Sequence, residues 1–156
     1  MGRALPTDRR PVNLDRMTAH AQVLHSASPI LPVRSLATSL RYYQDVLGFA
    51  LDWAQPEVVA SVTRDRCQLM LVQGDQGHPG TWMYAGAADV DALHAELAGR
   101  GATVRVPPTN YPWGRELHVT DPDGNVLRFG SEVRPGEPDG AWIDQEGRAW
   151  PTGRGR

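Results

Sequence analysis

A recurring texture constrains this chain more than any single motif does. Ser35 can cap a helix whose Leu36, Leu40, Tyr43 and Leu47 fall on one face and which Gly48 closes. Asp89 can cap a second, with Val90, Leu93 and Leu97 on its apolar face and Gly101 at its end. The helix starts lie 54 residues apart and the closing glycines 53 apart, counted from Leu36 to Val90 and from Gly48 to Gly101. A short apolar run precedes each helix, "ASPILPV" before the first and "TWMYAGA" (81–87) before the second. Strand-like segments follow the first helix: "FALDWA" (49–54), "EVVASVT" (57–63) and "CQLMLVQ" (67–73). "TVRV" (103–106), a proline-rich loop through Trp113 and the paired strands of "GRELHVTDPDGNVLRFG" (114–130) follow the second. This is a βαβββ duplication, visible in pattern and not in identity.

One helix covers only one face of its unit's sheet, so two such units need a further arrangement for the bare faces. The expected fold is α+β: tandem βαβββ modules forming a curved eight-stranded mixed sheet around a cleft, with the helices outside. The domain is expected over residues 24–130, with modules at about 27–73 and 80–130. A polar, proline-bearing stretch at 1–23 reads as a flexible arm, and residues 131–156 as a tail. Within that tail, 141–150 ("AWIDQEGRAW") allows either a small hairpin with Trp142 and Trp150 on its arms or a loosely held segment with two adhesive rings.

Composition narrows the partners. A 156-residue chain with 40% hydrophobic residues fits one domain with a sizeable core. Cys67 is the only cysteine, so no internal disulfide and no cysteine-based metal site is available, and a cytoplasmic location is expected. No apolar stretch is long enough to span a bilayer and none resembles a secretory leader, so neither membrane insertion nor export is expected. The formal charge is −2, and no basic stripe is present to track a phosphate backbone, which excludes nucleic acid as the expected partner.

Strand alternation sorts the residues into two faces. Leu31, Val33, Leu69, Leu71, Met83, Ala85, Leu117, Val119, Leu127 and Phe129 share one parity and are uniformly apolar, as a helix-facing surface requires. The other parity holds Ser28, Ile30, Pro32, Gln68, Met70, Val72, Trp82, Tyr84, Glu116, His118 and Arg128. That mixture suits a pocket with apolar walls and a few orienting polar groups. Candidate ligand-binding residues are therefore Ile30, Pro32, Gln68, Met70, Trp82, Tyr84, Glu116, His118 and Arg128, with Trp113 of the proline-rich loop as a lid or a surface anchor. Trp82 and Tyr84 can stack on a planar ligand or fill a core or dimer contact; Arg128 can pair with Glu116 or meet a ligand's carboxylate, phosphate or carbonyl.

"SPILPVRSLATSLRYYQDVLGF" followed much later by "GRELHVTDPDGNVLRFG" resembles the glyoxalase, bleomycin-resistance and extradiol-dioxygenase superfamily over about residues 27–130. Within the second motif, "DPDG" is a strong type I turn in its own right, with Pro122 presetting the second position. The resemblance implies a cleft in which the superfamily's enzymes hold a divalent metal. By motif, the four ligand positions fall near Ser28, Met70, Trp82 and Arg128, none a credible ligand; a guanidinium has no lone pair to give. No metal, cofactor or catalytic residue is therefore expected. The bleomycin-resistance members are the nearest resemblance, which implies a homodimer, strand-exchanged between the modules of two chains, that sequesters an antibiotic. The leading expectation is a metal-free protein that binds a small, partly aromatic molecule. The alternative is a lyase or dioxygenase-type enzyme with a relocated metal or an acid/base site at His118 or Glu116.

Overall fold

The computed structural model describes residues 26–152, so the arm expected at 1–23 lies outside the described residues. The first unit runs β1 (Ile30–Val33), α1 (Leu36–Asp45), β2 (Ala50–Gln55), β3 (Val59–Arg64) and β4 (Cys67–Gln73). The second runs β5 (Trp82–Gly86), α2 (Val90–Gly99), β6 (Thr103–Tyr111), β7 (Gly114–Thr120) and β8 (Val126–Ser131), and a short pair, β9 (Trp142–Ile143) and β10 (Ala149–Trp150), follows. The tandem βαβββ architecture is thus present. Its eight strands are hydrogen-bonded as two four-stranded sheets, ordered β1-β4-β3-β2 and β5-β8-β7-β6, and not as one continuous sheet. In each, the first strand lies parallel to the last, so one crossover helix per unit suffices.

Both helices start where their caps dictate. The Ser35 hydroxyl accepts from the Thr38 amide at 3.4 Å, and the Asp89 carboxylate accepts from Asp91 and Ala92 at 2.8 and 3.1 Å. At the far end of α1, Gly48 takes φ +71°, which lets the Phe49 amide turn back to the Tyr43 carbonyl at 2.8 Å. All ten residues of the apolar parity are buried and belong to one core that both helices share. Because that core lies on the helix side of both sheets, the opposite faces point outward, away from each other.

Polar clasps join the units across this core. Asp121 of the "DPDG" turn accepts from the Tyr43 hydroxyl at 2.9 Å, and Asp123 accepts from Ser39 at 2.8 Å and from the Arg34 side chain at 3.0 Å. In return Arg64, at the end of β3, donates to the Leu47 carbonyl and to Glu96 of α2 at 2.6 and 2.7 Å. Each unit's hairpin therefore grips the other unit's helix. Among the described residues no helix is long and apolar enough to cross a membrane.

One expected loop is a strand. β6 continues through Pro107 and Pro108 to Tyr111, with register shifts between Val104 and Val106 and again before Thr109. The prolines are tolerated because β6 is an edge strand, where a missing amide breaks no interior ladder.

Candidate functional site

The bare face of the second sheet carries the charge. Register places His118 beside Arg128 and Arg128 beside Tyr84, with Glu116 one row along. Glu116 is 1% exposed and receives hydrogen bonds from four groups: Arg128 Nε (3.1 Å) and Nη2 (2.8 and 3.0 Å), His118 Nε2 (2.9 Å) and Trp113 Nε1 (2.8 Å). Burial works to raise its carboxyl, but the bonds from His118, Arg128 and Trp113 outweigh that and hold it at about 2. A carboxylate so placed has no proton to give, so the hydrogen in the His118 contact belongs to Nε2. Among the described residues, His118 Nδ1 is then left buried without a partner.

Arg128 therefore answers both alternatives in part. Its Nε and Nη2 are committed to Glu116, while Nη1 makes no hydrogen bond among the described residues. The guanidinium carbon lies 4.7 Å from the ring centre of Trp142 and 5.7 Å from that of Tyr84. Tyr84 lies across Gly130, where any Cβ would collide with its ring.

Trp142, a residue of the tail, covers this cluster. Its ring meets His118 at 5.4 Å, Tyr111 at 5.7 Å, Trp113 at 6.0 Å and Trp82 at 6.2 Å between centroids. Trp113 stacks flat on Tyr111 at 5.2 Å. The tail is anchored through Asn110, 3% exposed, whose amide donates to the Arg134 and Glu137 carbonyls and whose backbone carbonyl accepts from Gly140 at 2.8 Å. Arg115 adds a second tie, bonding Asp91 of α2 with one edge and Glu137 of the tail with another nitrogen at 2.7 Å. Arg105 bonds the Asp144 and Gln145 carbonyls and lies 5.4 Å from the Trp82 ring centre.

The remaining candidates occupy the first sheet. Ile30 pairs with Met70 and Pro32 with Val72; Ser28 donates to Gln68 at 3.0 Å, which donates in turn to Ser61 at 3.0 Å. Ile30 is 39% and Trp53 46% exposed, so this face is open and largely apolar. The structure thus brings Trp82, Tyr84, Trp113, Glu116, His118 and Arg128 together, and sets Ile30, Pro32, Gln68 and Met70 apart on the other unit. The larger clefts lie elsewhere: about 730 Å³ between the β3–β4 turn and the start of α2, and about 640 Å³ beside the inter-unit linker. A recess of about 210 Å³, lined by Trp82, Arg105 and Gln145, touches the charged face.

Sequence reasoning marked Trp142 only as an arm of the tail hairpin or an adhesive ring, without placing it on this face, and did not single out Tyr111, Arg105 or Arg115. Arg115 had a readable signal, since it shares the helix-facing parity of Leu117 and Val119 and must find partners there. The four positions that superfamily enzymes use for a metal do not fit one: Ser28 is spent on Gln68, Trp82 offers no lone pair, Arg128 is a cation and Met70 is a thioether alone. Among the described residues no group of three or more His, Cys, Asp or Glu is arranged to hold a metal ion.

Known structures share this fold over the duplicated units. A bleomycin-binding protein from bleomycin-producing Streptomyces verticillus, crystallised with copper(II)-bleomycin, is 27% identical at a TM-score of 0.61, matching 71% of this chain and 98% of that one. TnmS3, an antibiotic-binding protein from Streptomyces sp. CB03234, is 30% identical at a TM-score of 0.60 over the same shares. A bleomycin resistance determinant encoded on transposon Tn5 shares the fold, at 19% identity and a TM-score of 0.62, over 71% of this chain and all of that one. Among curated proteins none matches the chain. Residues 20–129 match the sequence model of the Glyoxalase/Bleomycin resistance protein/Dioxygenase superfamily, and the chain belongs to that superfamily.

Proposed function

We propose that this protein binds and sequesters a small, partly aromatic molecule, as the antibiotic-binding proteins it resembles do, and that it does so without a metal of its own. The observation that carries the reading is the Glu116 cluster. Where the superfamily's enzymes keep a metal-binding carboxylate stands Arg128, ion-paired to a buried carboxylate and flanked by Tyr84 and Trp142. Such a face orients a ring and one polar group; it does not assemble ligands around a cation. The wall it lacks is supplied on this reading by a second copy. Ile30, Pro32, Gln68 and Met70 of one protomer would face Trp82, Tyr84, Trp113, Glu116, His118 and Arg128 of its partner in a strand-exchanged homodimer. Both β1 and β5 are sheet edges, with a free ladder to offer.

The acid/base alternative draws less support. A carboxyl held at about 2 by three side chains is a weak base, and its lone pairs are already engaged. The test is a thermal-shift screen of planar antibiotics and small aromatic acids, run in parallel with metal analysis of protein purified without chelator. Binding to the native state stabilises it by RT ln(1 + [L]/Kd), about 2.7 kcal/mol at a hundredfold excess over Kd, and so raises the midpoint. A binder whose effect is lost in Arg128→Ala is expected. Stoichiometric metal, with binding or turnover that depends on it, defeats the proposal.

A further inference from the structure

Trp142 sits on the second unit's outer face as a guest would. It comes from beyond the duplicated units, yet its ring is held by Arg128 at 4.7 Å and His118 at 5.4 Å, over the one charged cluster of that face. The ring leaves a polar group unanswered beneath it. His118 is fully buried, its Nε2 donates to Glu116, and Nδ1 finds no partner among the described residues. Buried polar atoms without a partner are rare and costly, and in the neutral ring with its hydrogen on Nε2 this one is an acceptor that a ligand's donor would satisfy. The hairpin that delivers Trp142 is fastened by polar bonds at its base, from Gly140 to the Asn110 carbonyl and from Arg105 to the Asp144 and Gln145 carbonyls, all of which water can replace.

We infer that Trp142 fills a subsite for a planar fused ring, and that the C-terminal hairpin is an intramolecular stand-in which the ligand must displace. This rests on the reading that the Arg128 face binds a small molecule. The chemistry of the subsite specifies the guest: a bicyclic aromatic ring, neutral or anionic, bearing an N–H or O–H that reaches His118 Nδ1. The guanidinium over the ring favours an electron-rich system, and with Arg105 nearby a cationic ring is repelled. A site built around a buried acceptor also rejects an isosteric ring that lacks the donor. Occupancy by the hairpin reduces the apparent affinity by the fraction of molecules in which the face is open.

Indole is the probe, titrated into the full chain with ¹⁵N-labelled histidine and glycine and followed by NMR, in the parent, Trp142→Ala and Gly140→Val. A Cβ at Gly140 overlaps the Thr109 methyl, so valine there crowds the base of the hairpin against β6 and replaces no side chain of the Arg128 cluster. Indole is expected to bind both variants at least about tenfold more tightly than the parent, as a face closed nine-tenths of the time requires. It should shift the His118 Nδ1 resonance in each and, at saturation in the parent, speed exchange of the Gly140 amide. Equal affinity in the parent and Gly140→Val overturns the inference, as does binding that leaves Nδ1 unmoved. Binders from the thermal-shift screen that depend on Arg128 but keep the Gly140 amide protected would refute the exchange while leaving the ligand-face reading intact.

Discussion

Replacing Glu116 with glutamine removes a charge and almost no volume, and so isolates what the buried carboxylate does. Its folded value of about 2 lies below the ordinary 4.5 because three side chains outweigh the cost of burial. A depressed carboxyl contributes stability that is complete above its unfolded value and disappears as pH falls through the folded one. At about 1.4 kcal/mol per pH unit, the gap is worth about 3 kcal/mol at pH 7, about 1 kcal/mol at pH 3 and under about 0.5 kcal/mol at pH 2. Glutamine also turns an amide N–H₂ toward donors and leaves Arg128, whose side chain is 26% exposed, without its counter-charge. Partial exposure lets water screen that cation, which keeps the total near about 3 kcal/mol and not at the upper end for a broken buried pair. Urea unfolding of parent and variant at pH 7 and pH 3, fitted with a common slope, measures the difference. The parent's advantage should shrink by about 2 kcal/mol between the two values, other acids cancelling because both proteins share them. An advantage that stays constant with pH would refute an ionised Glu116 as the centre of the cluster.

Other substitutions test separate links. Arg128→Ala leaves Glu116 buried with one cationic partner fewer and should cost about 3 kcal/mol in the same urea assay, beyond abolishing ligand shifts. Tyr43→Phe removes the buried bond to Asp121 and should cost roughly 1 kcal/mol, read as a lower thermal midpoint. Asn110→Ala strips the carbonyls of Arg134 and Glu137 and the Arg134 amide of their partner; a loss of about 2 kcal/mol and faster hydrogen exchange through residues 134–140 are expected.

Alternation carried the sequence reading a long way, because a period of two survives wherever a strand is regular. The ten apolar-parity residues all reached the core, and Arg128, the charge among apolar neighbours, reached the opposite face beside Glu116. Parity fails where register slips. Val104 packs against the core while Val106, two residues on, pairs with His118, since the shift between them turns the strand over. Tyr111 lies past that shift and past two prolines, so its place on the charged face was not readable. Trp142 was unreadable for another reason: local pattern allows a hairpin but says nothing of the surface on which it docks. That choice is made by Asn110, Arg105 and Arg115, residues 22 to 40 positions away in sequence from the groups they hold.

Duplication gave both units one frame and left them different chemistry. Ile30 pairs with Met70 in the first sheet as Tyr84 pairs with Arg128 in the second, so the equivalent row is apolar and open in one and charged and covered in the other. With the shared core behind both sheets, a single chain cannot close one face over the other, and on the proposed reading the closing wall comes from a second copy through its β1 edge. Ile30→Lys tests this directly. Lysine on an unpaired edge strand is a device that blocks edge pairing, and Ile30 is exposed enough for its replacement to leave the fold of each protomer within about 0.5 kcal/mol. Sedimentation equilibrium should show a dimer for the parent and a monomer for the variant, with similar urea slopes once dissociated. A parent that is monomeric at the highest concentration tested, or a variant that dimerises as tightly as the parent, would leave the first unit's open face without the role assigned to it.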